Sequence, residues 1–326
     1  MKQSEILAEF KLVAARKIAL TTEQSYRVWI TQYLRFLDTP EARKIESSER
    51  KAEVFLSAMA RNDYSKVSQN QAFNSILFLY RHVLKKDLAD ISALRCRRTS
   101  RERYTPTQEE IMGMLHHLKS TPTYNLRLAV SLLYACGLRV SECCELRIKD
   151  FDMARSILTI FEGKGDKDRQ VRIPDILLPA IRKQLARATG LAQIDAAAGQ
   201  PVQLPGRLSI KYPSRQYDPL WNFVFPSQST CAHPRTGQIV RWCMGPEIIQ
   251  RAVKRAAEAA GVAGKVTPHC LRHSFCSHLL DDGENIKRVA EAMGHSDIRT
   301  TAGYGRKECL AMRSPLDRII PFSKIA

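Results

Sequence analysis

Two imidazoles, a guanidinium and a phenol recur between Thr267 and Tyr304. The stretch reads T-P-H-C-L-R-H-S-F-C-S-H-L-L, then a Gly-containing break, then M-G-H-S-D-I-R-T-T-A-G-Y. Arginine forks phosphate oxygens with two N–H groups and stays charged at any relevant pH. Imidazole donates to a non-bridging oxygen or moves a proton near neutrality. A tyrosine hydroxyl serves as a covalent nucleophile when its surroundings help it ionise, because its ordinary pKa is about 10. Together these groups suit a phosphodiester. His269 and His273, an i, i+4 pair, also suit zinc. A hydrolytic zinc site of that form wants a Glu between the histidines, however, and Cys270 and Leu271 follow His269. The remaining alternative is a solvated His/Arg face without chemistry.

The elements that carry these groups follow from local signals. Thr267 before Pro268 predicts a helix start, with an N-cap hydroxyl and a proline at the first helical position. His269, Arg272 and His273 then share one face, while Leu271, Phe275, Leu279 and Leu280 form an apolar one. A second helix is expected from Glu284 to Met293, ending at Gly294. His295 falls in the following turn, and Ser296 is placed to cap a short helix that delivers Tyr304.

This pattern of H-x-x-R, then His295, then Tyr304 nine residues on resembles the signature of tyrosine recombinases. Two earlier motifs strengthen the likeness. G-L-R-V-S-E places Arg139 before a helix that Ser141 would cap, and it resembles the first catalytic-arginine motif of that family. Glu142 would then be a supporting carboxylate that orients the arginine. E-G-K-G-D-K-D is a Gly- and Asp-rich turn between two alternating segments, Ile157–Phe161 and Arg169–Ile173, which predicts a β-hairpin. The family carries a lysine at this tip, so G-K-G-x-K-x-R implies Lys164, with Lys167 as the alternative. By this resemblance the catalytic set is Tyr304, Arg139, Lys164, His269, Arg272 and His295.

Composition agrees with a polyanionic partner. The 326 residues carry a net charge of +18 and are long enough for two domains. No run of eighteen apolar residues and no apolar signal-peptide core is present, so a cytoplasmic protein with no membrane association is expected. Nine cysteines without a C-x-x-C pair read as reduced thiols.

In chain order, residues 1–90 predict four helices. Thr21, Thr22 and Glu23 open one carrying Tyr26, Ile30, Tyr33, Leu34 and Leu37; Glu49–Asn62 and Lys66–Lys85 are the next two. R-C-R-R-T-S-R-E-R-Y-T at 95–105 is a basic connector whose Arg97, Arg98 and Arg101 are candidate phosphate contacts. Thr107 and Glu110 predict a capping box for a helix reaching Lys119. Asn125 to Cys136 reads as an apolar helix ended by Gly137, and Asp175 to Ala188 as an amphipathic one.

Residues 193–226 then hold an aromatic-rich stretch interrupted by Gly and Pro, which a minimal recombinase would lack. Its Y-P and W-x-x-V-F-P-S elements, the following H-P-R-T-G, Q-N-Q-A-F-N-S-I-L-F-L-Y-R-H-V-L in the first domain and R-S-P-L-D near the end resemble integron integrases. Phe223 and Phe225, alternating around Val224, are expected as core of a short strand. Tyr212, Tyr217 and Trp221, with His233 and Pro234, are candidates for contact with unpaired bases. The chain departs from the integron pattern around Tyr304, which Gly303 and Gly305 bracket and Arg306 and Lys307 follow, with a short segment to Arg313.

The expected fold is mainly α. A helical, SAM-like core-binding domain spans 1–94, a linker 95–105, and a catalytic domain of mixed α with a small antiparallel sheet 106–326. The resemblance implies a site-specific DNA recombinase working through a 3′-phosphotyrosine, with no cofactor. Its partners would be DNA attachment sites, duplex and folded single-stranded hairpin, held in a tetrameric synapse of identical chains.

Overall fold

Helical spacing of apolar residues sets most of the architecture. A computed structural model of the chain describes residues 3–97, 104–118, 125–161, 168–206, 208–294 and 301. The chain divides into two units, 1–102 and 103–326. No described helix is long and apolar enough to cross a membrane.

The first unit is built from α1 (Gln3–Lys17), α2 (Leu20–Leu37), a single turn α3 (Pro40–Arg43), α4 (Ser48–Arg61) and α5 (Lys66–Phe78). The four long helices match expectation, and α3 is an addition made possible by Pro40 behind Thr39, whose hydroxyl accepts from the Ala42 N–H. Thr21 and Thr22 lie inside the first turn of α2 rather than before it. Beyond Phe78 the helix continues with i→i+5 bonding from Leu79 to Leu84 and stops at Lys85, which is left-handed. Ile30, Tyr33 and Leu34 of α2 pack with Phe10, Leu56, Ile76 and Leu79 in one core. The Tyr33 and Tyr80 hydroxyls meet inside it at 3.0 Å, and burial raises the Tyr33 phenol above its ordinary pKa.

The start of the basic connector is fastened to this unit. Buried Gln69 donates to the Leu56 and Leu94 carbonyls and accepts from the Cys96 N–H, while Ser57 and Glu53 accept from the Leu94 and Ser92 N–H groups. A strand would satisfy these backbone groups with another strand; here side chains do so. Arg97 is exposed, and Arg98 and Arg101 lie outside the described residues.

The second unit opens with α6 (Gln108–His117). Its capping box is formed as expected, Thr107 Oγ1 accepting from the Glu110 N–H and Glu110 from the Thr107 N–H. Next comes α7 (Leu126–Ala135), in which Leu128 to Leu133 are all buried, so the helix is the apolar axis of the unit. It is followed by α8 (Val140–Glu145) and a three-stranded antiparallel sheet of β1 (Phe151–Asp152), β2 (Ile157–Ile160) and β3 (Arg169–Arg172). Ile157 faces Arg172 and Ile160 faces Arg169, which fixes the expected hairpin's register. The strand β1 is too short to announce itself by alternation.

After a 3₁₀ turn at Asp175–Leu177, α9 (Leu178–Ala197) runs nine residues past its expected end and so absorbs the start of the aromatic-rich stretch. Among its described residues the remainder of that stretch holds α10 (Leu208–Lys211) and two 3₁₀ turns, Pro213–Tyr217 and Pro219–Trp221, before a strand begins at Pro226. A second sheet, not expected, follows as the hairpin β4 (Pro226–Ala232) and β5 (Ile239–Cys243). The chain then continues through α11 (Pro246–Ala259), α12 (Pro268–Asp281) and α13 (Ile286–Met293). Ile249 and Val253 of α11 and Leu271 of α12 close over α7 and the first sheet in one core. Phe275, Leu279 and Leu280 pack instead around Cys276, Val289 and Met293, so the apolar face of α12 serves two clusters.

Candidate active site

Arg139, Glu142 and Arg272 converge, and they do so around the carboxylate. Glu142 accepts from the Arg139 N–H at 2.7 Å, which caps α8; Ser141, the expected cap, lies in the first turn. The same carboxylate takes Arg139 Nη1 at 2.6 Å and Arg169 Nη2 and Nη1 at 2.6 and 3.2 Å, with Arg272 Nη1 at 3.8 Å. Arg169 is the member that sequence reading missed. It is the last residue of the same G-K-G-x-K-x-R motif, where local alternation marks only the start of a strand. Burial alone would push the Glu142 carboxyl up. Hydrogen bonds and charge from Arg169, the Arg139 N–H and the charge of Arg272 outweigh it and hold the group at about 2. One ionised carboxylate among three guanidiniums leaves the cluster with positive charge to offer.

The guanidiniums differ in access. The Arg139 side chain is 38% exposed, Arg169 5% and Arg272 2%. Arg272 therefore turns inward from a helical face on which His269 is exposed and His273 half-buried. It donates to the carbonyls of Gly137 and Met293, while Arg169 Nε donates to Ala292 at 2.9 Å. Two buried cations thus meet the C-terminal carbonyls of α13, which lack partners in their own helix and carry the negative end of its dipole. Gly294 ends α13 in a left-handed conformation, as expected from the sequence. At Gly137 only glycine fits: φ is +59°, and a Cβ would stand 2.5 Å from the Phe275 ring. At the start of α12 the Thr267 hydroxyl contacts Cys270 Sγ at 3.2 Å and does not cap the helix, although Pro268 occupies the first turn as expected. Lys164, His295 and Tyr304 lie outside the described residues.

Beside Arg139 opens a cleft of about 560 Å³ that is also lined by Lys149, Phe161, Pro205 and Trp221. Its wall is braced by Arg147, a buried guanidinium that donates to the Trp221 carbonyl and to Gln203 O at 3.0 Å. Its charge centre lies 4.2 Å from the Phe223 ring centroid and 5.9 Å from that of Trp221. Burial lowers the Arg147 pKa to about 10, against the pull of Asp150 and Glu145, so it remains a cation at neutral pH. Backbone bonds from Ile148 to Asn222 and from Val224 to Leu146 complete the attachment. Phe223, Val224 and Phe225 are core, as expected, but belong to no strand. Lys149 Nζ sits 3.9 Å from the Phe161 ring centroid and 4.7 Å from that of Trp221.

The other candidates are spread out. Tyr212 and Tyr217 are about two-fifths exposed outside the cleft lining, Tyr212 flanked by Lys211 and Arg215. Arg215 also reaches the Trp221 ring, at 5.1 Å, which joins Tyr212 and Trp221 in one basic, aromatic strip. His233 and exposed Pro234 lie in the β4–β5 turn; His233 faces Trp242 with ring centroids 5.4 Å apart. That hairpin is anchored by a buried bidentate pair, Arg241 to Asp195, at 2.6 and 2.8 Å. Among the described residues no cluster of His, Cys, Asp and Glu could hold a metal ion.

Residues 105–309 match the model of the phage integrase family, and residues 8–90 that of the phage integrase N-terminal SAM-like domain. An "Integrase/recombinase" of Escherichia coli is 37% identical over 311 residues, 94% of this chain and 90% of that protein. "Tyrosine recombinase XerA" of Pyrococcus furiosus is 28% identical over 97% of this chain and 94% of its own. In fold, the chain is similar to XerH site-specific recombinase bound to difH substrate, with a TM-score of 0.62 at 20% identity over 95% of this chain and 84% of that one. Matched by the family model over most of the second unit and by a relative along nearly its whole length, the chain belongs to the phage integrase family and is a tyrosine-type site-specific recombinase.

Proposed function

We propose that the protein breaks and rejoins DNA through Tyr304 and is an integron-type integrase that takes a folded single strand as one of its attachment sites. In the reaction, the Tyr304 oxygen bonds to a backbone phosphorus and the bond to the 5′-oxygen breaks, leaving a 3′-phosphotyrosine and a free 5′-hydroxyl. Lys164 supplies the proton to the leaving oxygen. His269 and His295 hold the phosphate and take the tyrosine proton. Arg139 and Arg272 meet the charge that builds on the non-bridging oxygens, an effect that a fixed, partly dry site enlarges. One phosphate ester replaces another, so the exchange is reversible without an energy source.

One observation carries the single-strand reading: Trp221 lines the cleft that also holds Arg139 and Phe161. Duplex recognition needs cations and groove contacts, whereas a braced tryptophan in the same cleft as Arg139 suits a base outside a helix. A second reading, a Xer-type enzyme on duplex DNA, is favoured by the 28% identity to XerA along 97% of the chain. The experiment is covalent trapping on two nicked substrates, a hairpin with extrahelical bases and a perfect duplex of the same sequence. An adduct on the hairpin that is lost in Tyr304→Phe supports the reading. An adduct on the duplex alone moves the Xer-type reading ahead, and an adduct that persists in Tyr304→Phe overturns the nucleophile.

A further inference from the structure

Arg169 stands outside the six groups given chemistry, and its side chain is 5% exposed. All three guanidinium nitrogens are nevertheless engaged with other active-site segments. Nη1 and Nη2 hold both oxygens of Glu142, the carboxylate that carries Arg139. Nε holds the Ala292 carbonyl at the end of α13, three residues before His295. The residue itself is the first of β3, where the hairpin bearing Lys164 rejoins the sheet.

We propose that Arg169 is a positioning residue that sets Arg139, the root of the Lys164 hairpin and the end of α13 in one geometry, through Glu142 and the Ala292 carbonyl. The role rests on the assignment of the six groups. A planar fork is what the task needs, because two acceptors on different elements must be held at fixed angles. Lysine would keep the charge but could not span both acceptors. Arg272 works alongside from α12, donating to Gly137 and Met293, so two forks tie α8, α13 and the first sheet to a single carboxylate. Loss of the Arg169 fork leaves Glu142 held by Arg139 and Arg272 alone and frees the Ala292 carbonyl. A displacement near 1 Å at Arg139 is enough to slow the chemistry about 100-fold without altering most DNA contacts.

The test uses the full-length protein in excess over a nicked attachment-site substrate, so that a single cleavage is followed. Variants are Arg169→Lys, Arg169→Gln, Glu142→Gln and the double Gln variant. Each is measured on the normal phosphodiester and on a methylphosphonate at the scissile position, which lacks the charge that Arg139 must meet. Arg169→Lys is expected to cleave about 10- to 100-fold more slowly, with DNA affinity within about twofold of wild type. That deficit should shrink on the methylphosphonate. The double variant should lose less than the product of the two single losses, because both single changes break the same Glu142–Arg169 contact. Arg169→Lys with wild-type cleavage overturns the proposal. So does an equal deficit on both substrates, or a double-variant loss equal to the product of the single losses, since either describes a merely structural residue. Failure of the wild type itself to form an adduct would overturn the six-group assignment and this role with it, an outcome distinct from a wild type that cleaves and an Arg169 variant that does likewise.

Discussion

Glu142→Gln isolates the charge at the centre of the site. Gln keeps the shape of the side chain and stands in for the protonated acid, so the change removes only what ionisation contributes. The carboxyl is held at about 2 against an ordinary 4.5. At about 1.4 kcal/mol per unit, that difference makes the ionised form worth about 3 kcal/mol to the folded state. The independent expectation for removing one partner of a buried ion pair is about 3–5 kcal/mol, which agrees. For a unit of this size the loss corresponds to a fall in Tm of roughly 6–12 °C. Because the folded-state value is depressed, the contribution is complete above pH about 4.5 and is lost as pH falls through about 2. The stability gap between wild type and variant should therefore be flat from pH 8 to 5.5 and narrow from about 3 to about 2 kcal/mol by pH 3.5. Denaturant unfolding at several pH values measures it. A Tm change under 2 °C, or a gap that does not narrow in acid, would refute the reasoning that three guanidiniums depend on this carboxylate.

Lys164→Ala is expected to cleave a normal phosphodiester poorly and to recover on a substrate whose bridging 5′-oxygen is sulfur, a leaving group that needs no proton; equal impairment on both would leave Lys164 a phosphate contact and bring Lys167 forward. Trp221→Ala should weaken binding to a hairpin with extrahelical bases by about 1–3 kcal/mol while changing duplex affinity little, in paired titrations at one salt concentration; parallel losses would make the insertion structural. Gly137→Ala combines a positive φ with a collision at Phe275 and should cost about 1–3 kcal/mol in denaturant unfolding, with a slower cleavage rate because the carbonyl that Arg272 holds must move. An unchanged unfolding midpoint would mean that Phe275 can step aside.

What the sequence determined by itself was the local order. Apolar residues at helical spacing placed α2, α4, α5 and α7, and Thr107 with Glu110 placed the start of α6, because helix period and capping depend on neighbours a few residues apart. The motif around Arg139 and the H-x-x-R of α12 named both arginines for the same reason: a motif is a local arrangement of residue types. Short strands escaped, since β1 has two residues and β4 carries mostly exposed small residues. The overlong α9 escaped because Gly190, two residues past Ala188, is a local stop signal that the helix runs through.

Only the tertiary structure decided which charges are partners. Glu142 and Arg169 are 27 residues apart, Arg272 and the Gly137 carbonyl 135, and Arg147 and Trp221 74. No periodicity links such positions. Their pairing arises because the core closes α12 over α7 and carries β3 to the end of α8, where water is scarce. A buried guanidinium there must find every partner its fork can reach. That requirement, and not any feature of residue 169 within its own strand, joins Arg169 to the site.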